Sequence, residues 1–264
     1  MTSFKNHIEN STLSKTTKAG HIRYITAVQD YLHDIDAMKT YLSEQFTLNK
    51  QFQICKTLSK YFEYHKHDDY RSNILEFAAD VKSRLQVTQQ KKTREIKIKI
   101  ENNEMKDIHE LKTALEKLYD DSDYKRFVIN YLLIHYHTRN LDLDLTVATS
   151  RKYINTTDNF LLIRRYKVEF IRSNYKTAKQ YQTIEFTITD PTFVYACRKL
   201  ELGKLLHTKN IGQEIKGLTI DNLSETQINK IVMYSLPANK LEHMSKSRGT
   251  SVQTLLDSYN PNRV

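Results

Sequence analysis

The scarcity of glycine and proline is the feature of this sequence that most limits what the chain can fold into. Only 5 glycines and 3 prolines occur among 264 residues. Because these residues provide most of the turns and breaks between short strands, their scarcity favours helices. Apolar residues make up 39% of the chain and charged residues 27%, a composition typical of folded globular proteins. We therefore predict a mainly α-helical protein of the α+β kind, with two domains of unequal size.

The N-terminal region, residues 1–88, shows apolar side chains at helical spacing in several segments. Ser14 is a candidate N-cap for a helix in the segment 12–32. A shorter helix is expected over 38–45. The apolar faces of the three longer helices carry Ile22, Ile25, Val28 and Leu32, then Leu48, Phe52, Cys55, Leu58 and Phe62, and then Ile74, Ala78, Val81 and Leu85. These patterns predict a helical N-terminal domain built as a four-helix bundle.

Residues 89–103, QQKKTREIKIKIENN, differ in composition from the segments on either side. They include five basic residues, and Ile96, Ile98 and Ile100 alternate with polar residues. This alternation suits neither a long amphipathic helix nor a buried strand. We therefore predict a basic, partly extended linker at 89–103 and a second domain over 104–264.

The second domain is predicted to be mostly helical around one small sheet. The segment YKRFVINYLLIHYH, residues 124–137, is apolar nearly all round, which predicts a central buried helix. Short runs at 160–165, 167–172 and 181–188 predict a small three-stranded antiparallel sheet, with a lysine-bearing turn joining the last two strands. Further helices are predicted at 105–118, 191–206, 223–235, 237–246 and 250–259.

The positive charge of the chain indicates a polyanionic partner. The formal net charge is +10. Lysines and arginines that meet phosphates release condensed counterions, so nucleic acid is the leading candidate. The residues expected to bind it lie in the β region and the linker: Arg164, Arg165, Lys167, Arg172, Lys91, Lys92 and Arg94. An exposed hairpin whose charge only keeps the protein soluble is the alternative.

Several kinds of site are not indicated by the sequence. Cys55 and Cys197 form no C-x-x-C pair, so we expect no disulfide framework and an intracellular, reducing compartment. The histidines of EYHKHDDY and HYH are two residues apart and would point to different helix faces, so no metal site is expected. The sequence contains no glycine-rich phosphate loop that would indicate a nucleotide-binding site, and no cofactor is expected. Neither a secretion signal nor a membrane-spanning segment is expected.

The C-terminal region carries a more specific pattern. Gly249-Thr250-Ser251 is followed by Tyr259, ten residues after the glycine, with Thr254 between them. Upstream, Arg139 follows the apolar helix and opens the segment RNLDL. The chain thus has, in order, a helical bundle, a basic linker, a buried helix ending in an arginine, a small sheet with a lysine turn, and Gly-x-Ser before a tyrosine. This order resembles the tyrosine recombinase (phage integrase) family.

The resemblance implies a reaction and a set of site residues. The two domains would correspond to the core-binding and catalytic domains of the family. Tyr259 would attack a DNA phosphate to form a 3′-phosphotyrosine, Arg139 would bind the phosphate, and Lys176 would protonate the leaving oxygen. Asp142 or Asp144 would take the family's acidic position. The reaction needs no cofactor or metal, and the active form would be a tetramer on paired sites.

The sequence departs from the family in part of the catalytic set. The stretch NLSETQINKIV stands where the family has H-x-x-R, and Thr250 replaces a His or Trp. The candidate substitutes are Lys179, Lys230, His243, Lys246 and Arg248. Two functions therefore stay open, an enzyme of DNA integration and recombination, and a degenerate DNA-binding or DNA-packaging protein. Either would come from a large DNA virus or mobile element and be located in the host nucleus or cytoplasm, or in the virion. A basic helical protein that makes only protein contacts is a third alternative.

Overall fold

The computed structural model of the protein describes residues 2–153, 155, 157–208 and 210–259, without the side chains of residues 153, 238 and 257–259. The prediction of a mainly helical protein is confirmed. The chain divides into two compact units, Met1–Lys91 and Lys92–Val264. Each unit has its own apolar core.

The first unit is entirely helical in its regular structure. Its helices are α1 (Thr2–Glu9), α2 (Lys15–Ala27), α3 (Ile35–Gln45), α4 (Leu48–Tyr64) and α5 (Asp68–Glu101), the last of which continues into the second unit. Helices α3 to α5 cover three of the predicted segments, whereas α2 ends at Ala27 and so covers only part of the predicted segment 12–32. Helix α1 is an additional helix that buries Phe4 and Ile8. Ser14 caps α2 by accepting a hydrogen bond from the N–H of Thr17 at 3.2 Å. Asp34 caps α3 in the same way.

The prediction of a partly extended linker at 89–103 was wrong, because nearly all of this segment is the C-terminal part of α5. Thr93, Ile96 and Ile100 are spaced three and four residues apart and therefore lie on one helix face. Thr93 and Ile100 are buried, and Ile96 packs on the core of the second unit. Ile98 falls on another face and is 47% exposed. The four-residue spacing of Ile96 and Ile100 therefore fits the helix that forms, whereas the alternation of Ile96, Ile98 and Ile100 does not indicate an extended segment.

The second unit surrounds a buried helix. Its helices are α6 (Ile108–Asp120), α7 (Tyr124–His135), α8 (Ala178–Tyr181), α9 (Pro191–Arg198), α10 (Ile211–Leu218), α11 (Glu225–Ser235), α12 (Leu241–Arg248) and α13 (Val252–Tyr259). Every residue of α7 from Phe127 to Ile134 is buried, as its all-round apolar pattern predicts. Asn130 joins α7 to the end of α10, donating to Leu218 O at 3.0 Å and accepting from Ile220 N at 3.0 Å.

The sheet is larger than the predicted three-stranded antiparallel one. In the described part of the chain it has five strands, β1 (Leu145–Ala148), β2 (Asn159–Ile163), β3 (Val168–Arg172), β4 (Ile184–Ile188) and β5 (Gly203–Lys204), in the order β4-β3-β2-β1-β5. The predicted runs correspond to β2, β3 and β4, which pair antiparallel. Strand β1 pairs parallel with β2 and antiparallel with β5, so the sheet is mixed.

The connections between strands also differ from the prediction. The tight turn joins β2 to β3, where the N–H of Arg164 donates to Lys167 O at 2.8 Å. Strands β3 and β4 are joined by residues 173–183, which include the short helix α8. This longer connection, which we call the β3–β4 connection, carries Lys176 and Lys179. It therefore places these lysines at the end of the sheet opposite the tight turn.

Candidate functional site

A cleft of about 360 Å³ in the second unit brings together three segments that are distant in sequence. They are the residues that follow α7, the β3–β4 connection, and the turn between α12 and α13. The cleft is lined by Arg139, Lys176, Thr177, Gln180, Tyr181, Arg248, Thr250, Ser251 and Thr254. Two of the three predicted catalytic residues, Arg139 and Lys176, thus lie at one site.

The third predicted catalytic residue, Tyr259, has a side chain outside the described residues. The helix that contains it, α13, begins at the cleft. Ser251 caps this helix, accepting from the N–H of Thr254 at 3.1 Å, and its hydroxyl lies 2.8 Å from the Thr254 hydroxyl. Both hydroxyl side chains line the cleft.

Arg139 is half-buried and is held by its backbone and its side chain. It follows α7 and precedes a short 3₁₀ helix, Asn140–Leu143. Its backbone N–H donates to Asp142 Oδ2 at 2.9 Å, and its Nη2 donates to Gly249 O at 3.5 Å. The guanidinium is therefore directed to the turn between α12 and α13.

Gly249 shapes this turn, and its position leaves no room for a side chain. It ends α12 with a φ of 59°, in the left-handed region that favours glycine. A Cβ atom at this position would lie 2.7 Å from Tyr175 Cε2 and 3.2 Å from Ile184 Cδ1. The Thr177 hydroxyl donates to Gly249 O at 2.5 Å. Gly249 thus lets the α12–α13 turn approach the β3–β4 connection closely, which forms one wall of the cleft.

Arg172, expected to bind DNA, is fully buried, so that assignment was wrong. Its side chain and that of Asp142 are both 0% exposed, with 2.7 Å between Arg172 Nη1 and Asp142 Oδ2. Its Nη2 donates to Ser247 O, and its guanidinium lies 5.5 Å from the ring centroids of Phe170 and Tyr175. Burial lowers the pKa of Arg172, and Asp142 opposes the shift. Arg172 therefore stabilises the walls of the cleft from inside the protein.

The same contacts distinguish the two candidate acidic residues. Asp142 receives hydrogen bonds from both Arg139 and Arg172 in the interior. Asp144 instead lies 3.2 Å from Lys204 Nζ in a pair that is largely exposed. Asp142 is therefore the carboxylate that orders the Arg139 segment.

Arg248 lines the cleft, but its charge is balanced by a carboxylate. Its Nη1 donates to His137 O at 2.8 Å, and its Nη2 forms an ion pair with Glu225 Oε1. The second oxygen of Glu225 accepts from Asn140 N at 3.1 Å. Glu225 lies in the first turn of α11, in the stretch that stands where the family has H-x-x-R. The start of α11 thus contributes a carboxylate beside the cleft, and Arg248 is paired with it.

His137 is a buried histidine next to this pair. Burial, and secondly the charge of Arg248, lower the pKa of His137 to about 3. Its ring therefore stays neutral near neutral pH. His137 has a φ of 52°, which places it in the turn that leads from α7 to Arg139.

The other four candidate substitutes lie outside the lining of the cleft. Lys230 is buried on α11, where burial lowers its pKa and Lys92 and Glu95 are its charged neighbours. Lys246 is exposed and lies 2.8 Å from Glu242. Lys179 on α8 and His243 on α12 are exposed.

The remaining residues expected to bind DNA are exposed or half-buried. Arg164, Arg165 and Lys167 form most of the tight turn between β2 and β3. Lys91, Lys92 and Arg94 are exposed on α5. These six side chains are placed at the surface of their respective units, unlike Arg172.

Residues 2–153, 155, 157–208 and 210–259 include no group of three or more His, Cys, Asp or Glu side chains placed to hold a metal ion. None of the helices in this part of the chain is long and apolar enough to span a membrane. Burial raises the pKa of both cysteine thiols, to about 12 for Cys55.

The cleft contains residues that the sequence did not single out. The cleft is lined by Thr177 and Gln180, and Glu225 lies beside it, but none of the three was predicted to be part of the site. Thr177 and Gln180 follow Lys176 in the β3–β4 connection, so a longer window around the lysine would have included them. Glu225 follows Ser224, whose capping box with Gln227 marks the start of α11.

Comparison with known proteins does not identify a family. No protein-family model, no curated protein and no solved structure matches the chain.

Proposed function

We propose that this protein binds double-stranded DNA and holds a backbone phosphate in the cleft between Arg139 and Lys176. The single observation that supports the proposal is that these two cations, from segments distant in sequence, line one cleft. The hydroxyl groups of Thr250 and Ser251 lie in the same lining. A phosphate oxygen is well bound by a guanidinium, an ammonium and hydroxyl groups together.

The resemblance to tyrosine recombinases adds a reaction to this site. Tyr259 Oη would lose its proton to solvent and attack the phosphorus, forming a bond to the 3′-phosphate while the bond to the 5′-oxygen breaks. Lys176 would donate a proton to the departing 5′-oxygen, and Arg139 would stabilise the charge on the phosphate. The reverse reaction with another 5′-hydroxyl would rejoin the strands. This chemistry is consistent with the start of α13 at the cleft, and on paired sites it would be carried out by a tetramer.

Binding without cleavage is the second candidate function, and a specific observation favours it. Arg172 and Arg248, the other arginines beside the cleft, form ion pairs with Asp142 and Glu225. Their positive charge is therefore already compensated within the protein. Removing one donor from an oxyanion-binding site costs on the order of 10²–10³ in rate. A site in which two nearby arginines are already paired with carboxylates would therefore cleave slowly or not at all.

Binding at the cleft is tested by duplex titrations at several salt concentrations. We expect Lys176→Ala and Arg139→Ala each to lower affinity, and each to reduce the slope of log K against log [salt] by about 0.9 per lost phosphate contact. The matched control is Lys179→Ala, which removes an exposed lysine from the same connection outside the cleft. Equal effects of Lys176→Ala and Lys179→Ala would contradict the assignment of the cleft.

Cleavage is tested separately with a nicked suicide substrate, from which the released fragment diffuses away. A covalent protein–DNA adduct with the wild-type protein, absent with Tyr259→Phe, would identify the enzyme. Binding with a normal salt slope but no adduct would identify the non-cleaving protein. Failure of the wild-type protein to bind any duplex at low salt would refute both.

A further inference from the structure

The tight turn between β2 and β3 presents an aromatic side chain that the fold does not use. Tyr166 is 72% exposed, the highest value among the large apolar side chains in the described part of the chain. Ile163 pairs with Val168, so Arg165 and Tyr166 form the tip of the hairpin. Tight hairpin turns favour glycine, asparagine and aspartate, and turn geometry therefore gives no reason for a tyrosine here.

The backbone at this tip is held from two sides. Arg198, the last residue of α9, donates through Nη2 to Arg164 O at 3.2 Å and also to Arg165 O. Arg164 in turn donates through Nη1 to Thr149 O at 3.3 Å. A backbone that is fixed before binding loses less conformational entropy when a ligand docks on it.

The tip is positively charged. One carboxylate, that of Glu169, forms ion pairs with Arg151 and Lys167, and the cationic side chains of Arg164, Arg165 and Arg198 also lie at or beside the tip. Glu169 lies 3.0 Å from Lys167 Nζ and 3.2 Å from Arg151 Nη2. The hydrogen bond from Lys167 is the main reason that the pKa of Glu169 is lowered. Even with Glu169 ionised, the tip keeps a net positive charge, which favours contact with a phosphate backbone.

The ring of Tyr166 already stacks on a cation. The guanidinium carbon of Arg165 lies 5.0 Å from its centroid, within the range of a cation–π contact. This contact orients the ring while most of it stays in solvent. An exposed ring among cationic side chains is the arrangement with which proteins stack on bases of single-stranded nucleic acid.

We propose that Tyr166 stacks on an unpaired base of DNA while Arg165 and Lys167 contact the phosphates beside it. In an intact duplex the bases stack on one another, so a single aromatic ring finds a free base face only at a gap, bulge or frayed end. The inference rests on the proposed function in taking DNA as the partner. It adds that the hairpin tip distinguishes interrupted from intact duplexes.

The experiment is a fluorescence anisotropy titration of an intact duplex and of the same duplex with a single-nucleotide gap. Tyr166→Ala and Tyr166→Leu are expected to weaken binding to the gapped duplex about tenfold, a typical loss for one base–aromatic stack, and to leave the intact duplex nearly unaffected. Tyr166→Phe keeps the ring and should bind as wild type does. The matched control is Tyr195→Ala, because Tyr195 is also exposed and lies beneath a cation, Lys199, with Nζ 5.1 Å from the centroid.

The possible results separate this inference from the proposed function. Wild-type protein that binds both duplexes equally, or Tyr166→Ala that keeps its preference for the gap, would overturn the inference and leave duplex binding intact. An equal loss with Tyr166→Phe would also overturn it, because the ring would not be the cause. Wild-type protein that binds neither duplex, or binds only anionic lipid vesicles, would overturn both. Unchanged thermal unfolding of each variant excludes misfolding as the cause of a loss.

Discussion

Replacing Arg172 by methionine should strongly destabilise the second unit. The side chains of Arg172 and Asp142 are both 0% exposed and lie 2.7 Å apart. After Arg172→Met, the buried carboxylate keeps the Arg139 N–H, at 2.9 Å from Oδ2, as a donor. Ser247 O also loses the donor that Arg172 supplies. Removing one partner of a buried ion pair costs about 3–5 kcal/mol, and we expect about 4 kcal/mol because methionine refills most of the apolar volume.

The double variant Arg172→Met/Asp142→Asn identifies the source of this loss. Asparagine removes the buried charge while its oxygen can still accept from Arg139 N–H. The double variant should therefore be about 2 kcal/mol more stable than Arg172→Met alone, since the uncompensated charge is gone. Lys246→Met is the control, because Lys246 and Glu242 lie 2.8 Å apart but are both exposed, and no measurable change is expected.

The assay is urea unfolding followed by far-ultraviolet circular dichroism. Hydrogen–deuterium exchange of peptides from β3 assigns the affected transition to the second unit. A loss below about 1 kcal/mol for Arg172→Met, the value typical of an exposed pair, would show that the buried pair is not the source of stability. A double variant no more stable than the single one would show that the uncompensated charge is not the cause.

Three further predictions follow from local geometry and burial. Gly249→Ala should destabilise the second unit by about 2 kcal/mol or more in urea unfolding, because φ is 59° and the new Cβ would lie 2.7 Å from Tyr175 Cε2; a loss below about 0.5 kcal/mol would contradict this. The pKa of His137 is lowered to about 3 in the folded protein, whereas an unfolded chain takes up this proton near pH 6.5. Its contribution to stability is therefore complete above about pH 6.5 and decreases as pH falls towards about 3, so His137→Asn should flatten the slope of unfolding free energy against pH in this window. Cys55 and Cys197 are buried with raised thiol pKa values, so both should react with a thiol reagent only after unfolding; rapid labelling of the native protein would disprove this.

Most helices could be predicted from the sequence because their signals are local. Ser14 accepts a hydrogen bond from a residue three positions away, and the apolar faces repeat every three to four residues. The buried character of α7 is also visible in its sequence, since residues 127–134 carry one polar side chain, Asn130. Such short-range patterns do not depend on what packs against them.

The sheet was harder to predict, because short strands depend on pairing. Strand β1 has four residues and β5 has two, which is too few for a reliable alternation pattern. Their pairing partners are distant along the chain, since Leu145 of β1 pairs with Asn159 and Thr146 of β1 pairs with Lys204 of β5. Strands β1 and β5 form because a neighbouring strand supplies hydrogen-bond partners, and their own residues do not predict them.

The candidate site was only partly predictable for a similar reason. The sequence indicated Arg139 and Lys176, and the structure places both at one cleft. It did not indicate that Arg172 is internal or that Glu225 compensates Arg248. Each of these outcomes depends on a carboxylate more than twenty residues away in sequence, at Asp142 for Arg172 and at Glu225 for Arg248.

The helical character of the chain, its basic charge and the segments that could carry a phosphate site can all be read from the sequence. Which of the cations are exposed to solvent depends on how the chain packs. Arg165 precedes β3 and Arg172 is its last residue, yet Arg165 is exposed at the hairpin tip and Arg172 is fully buried. The physical reason is that burying a charge is costly unless a partner compensates it, and that partner, Asp142, is brought to Arg172 only when the chain folds.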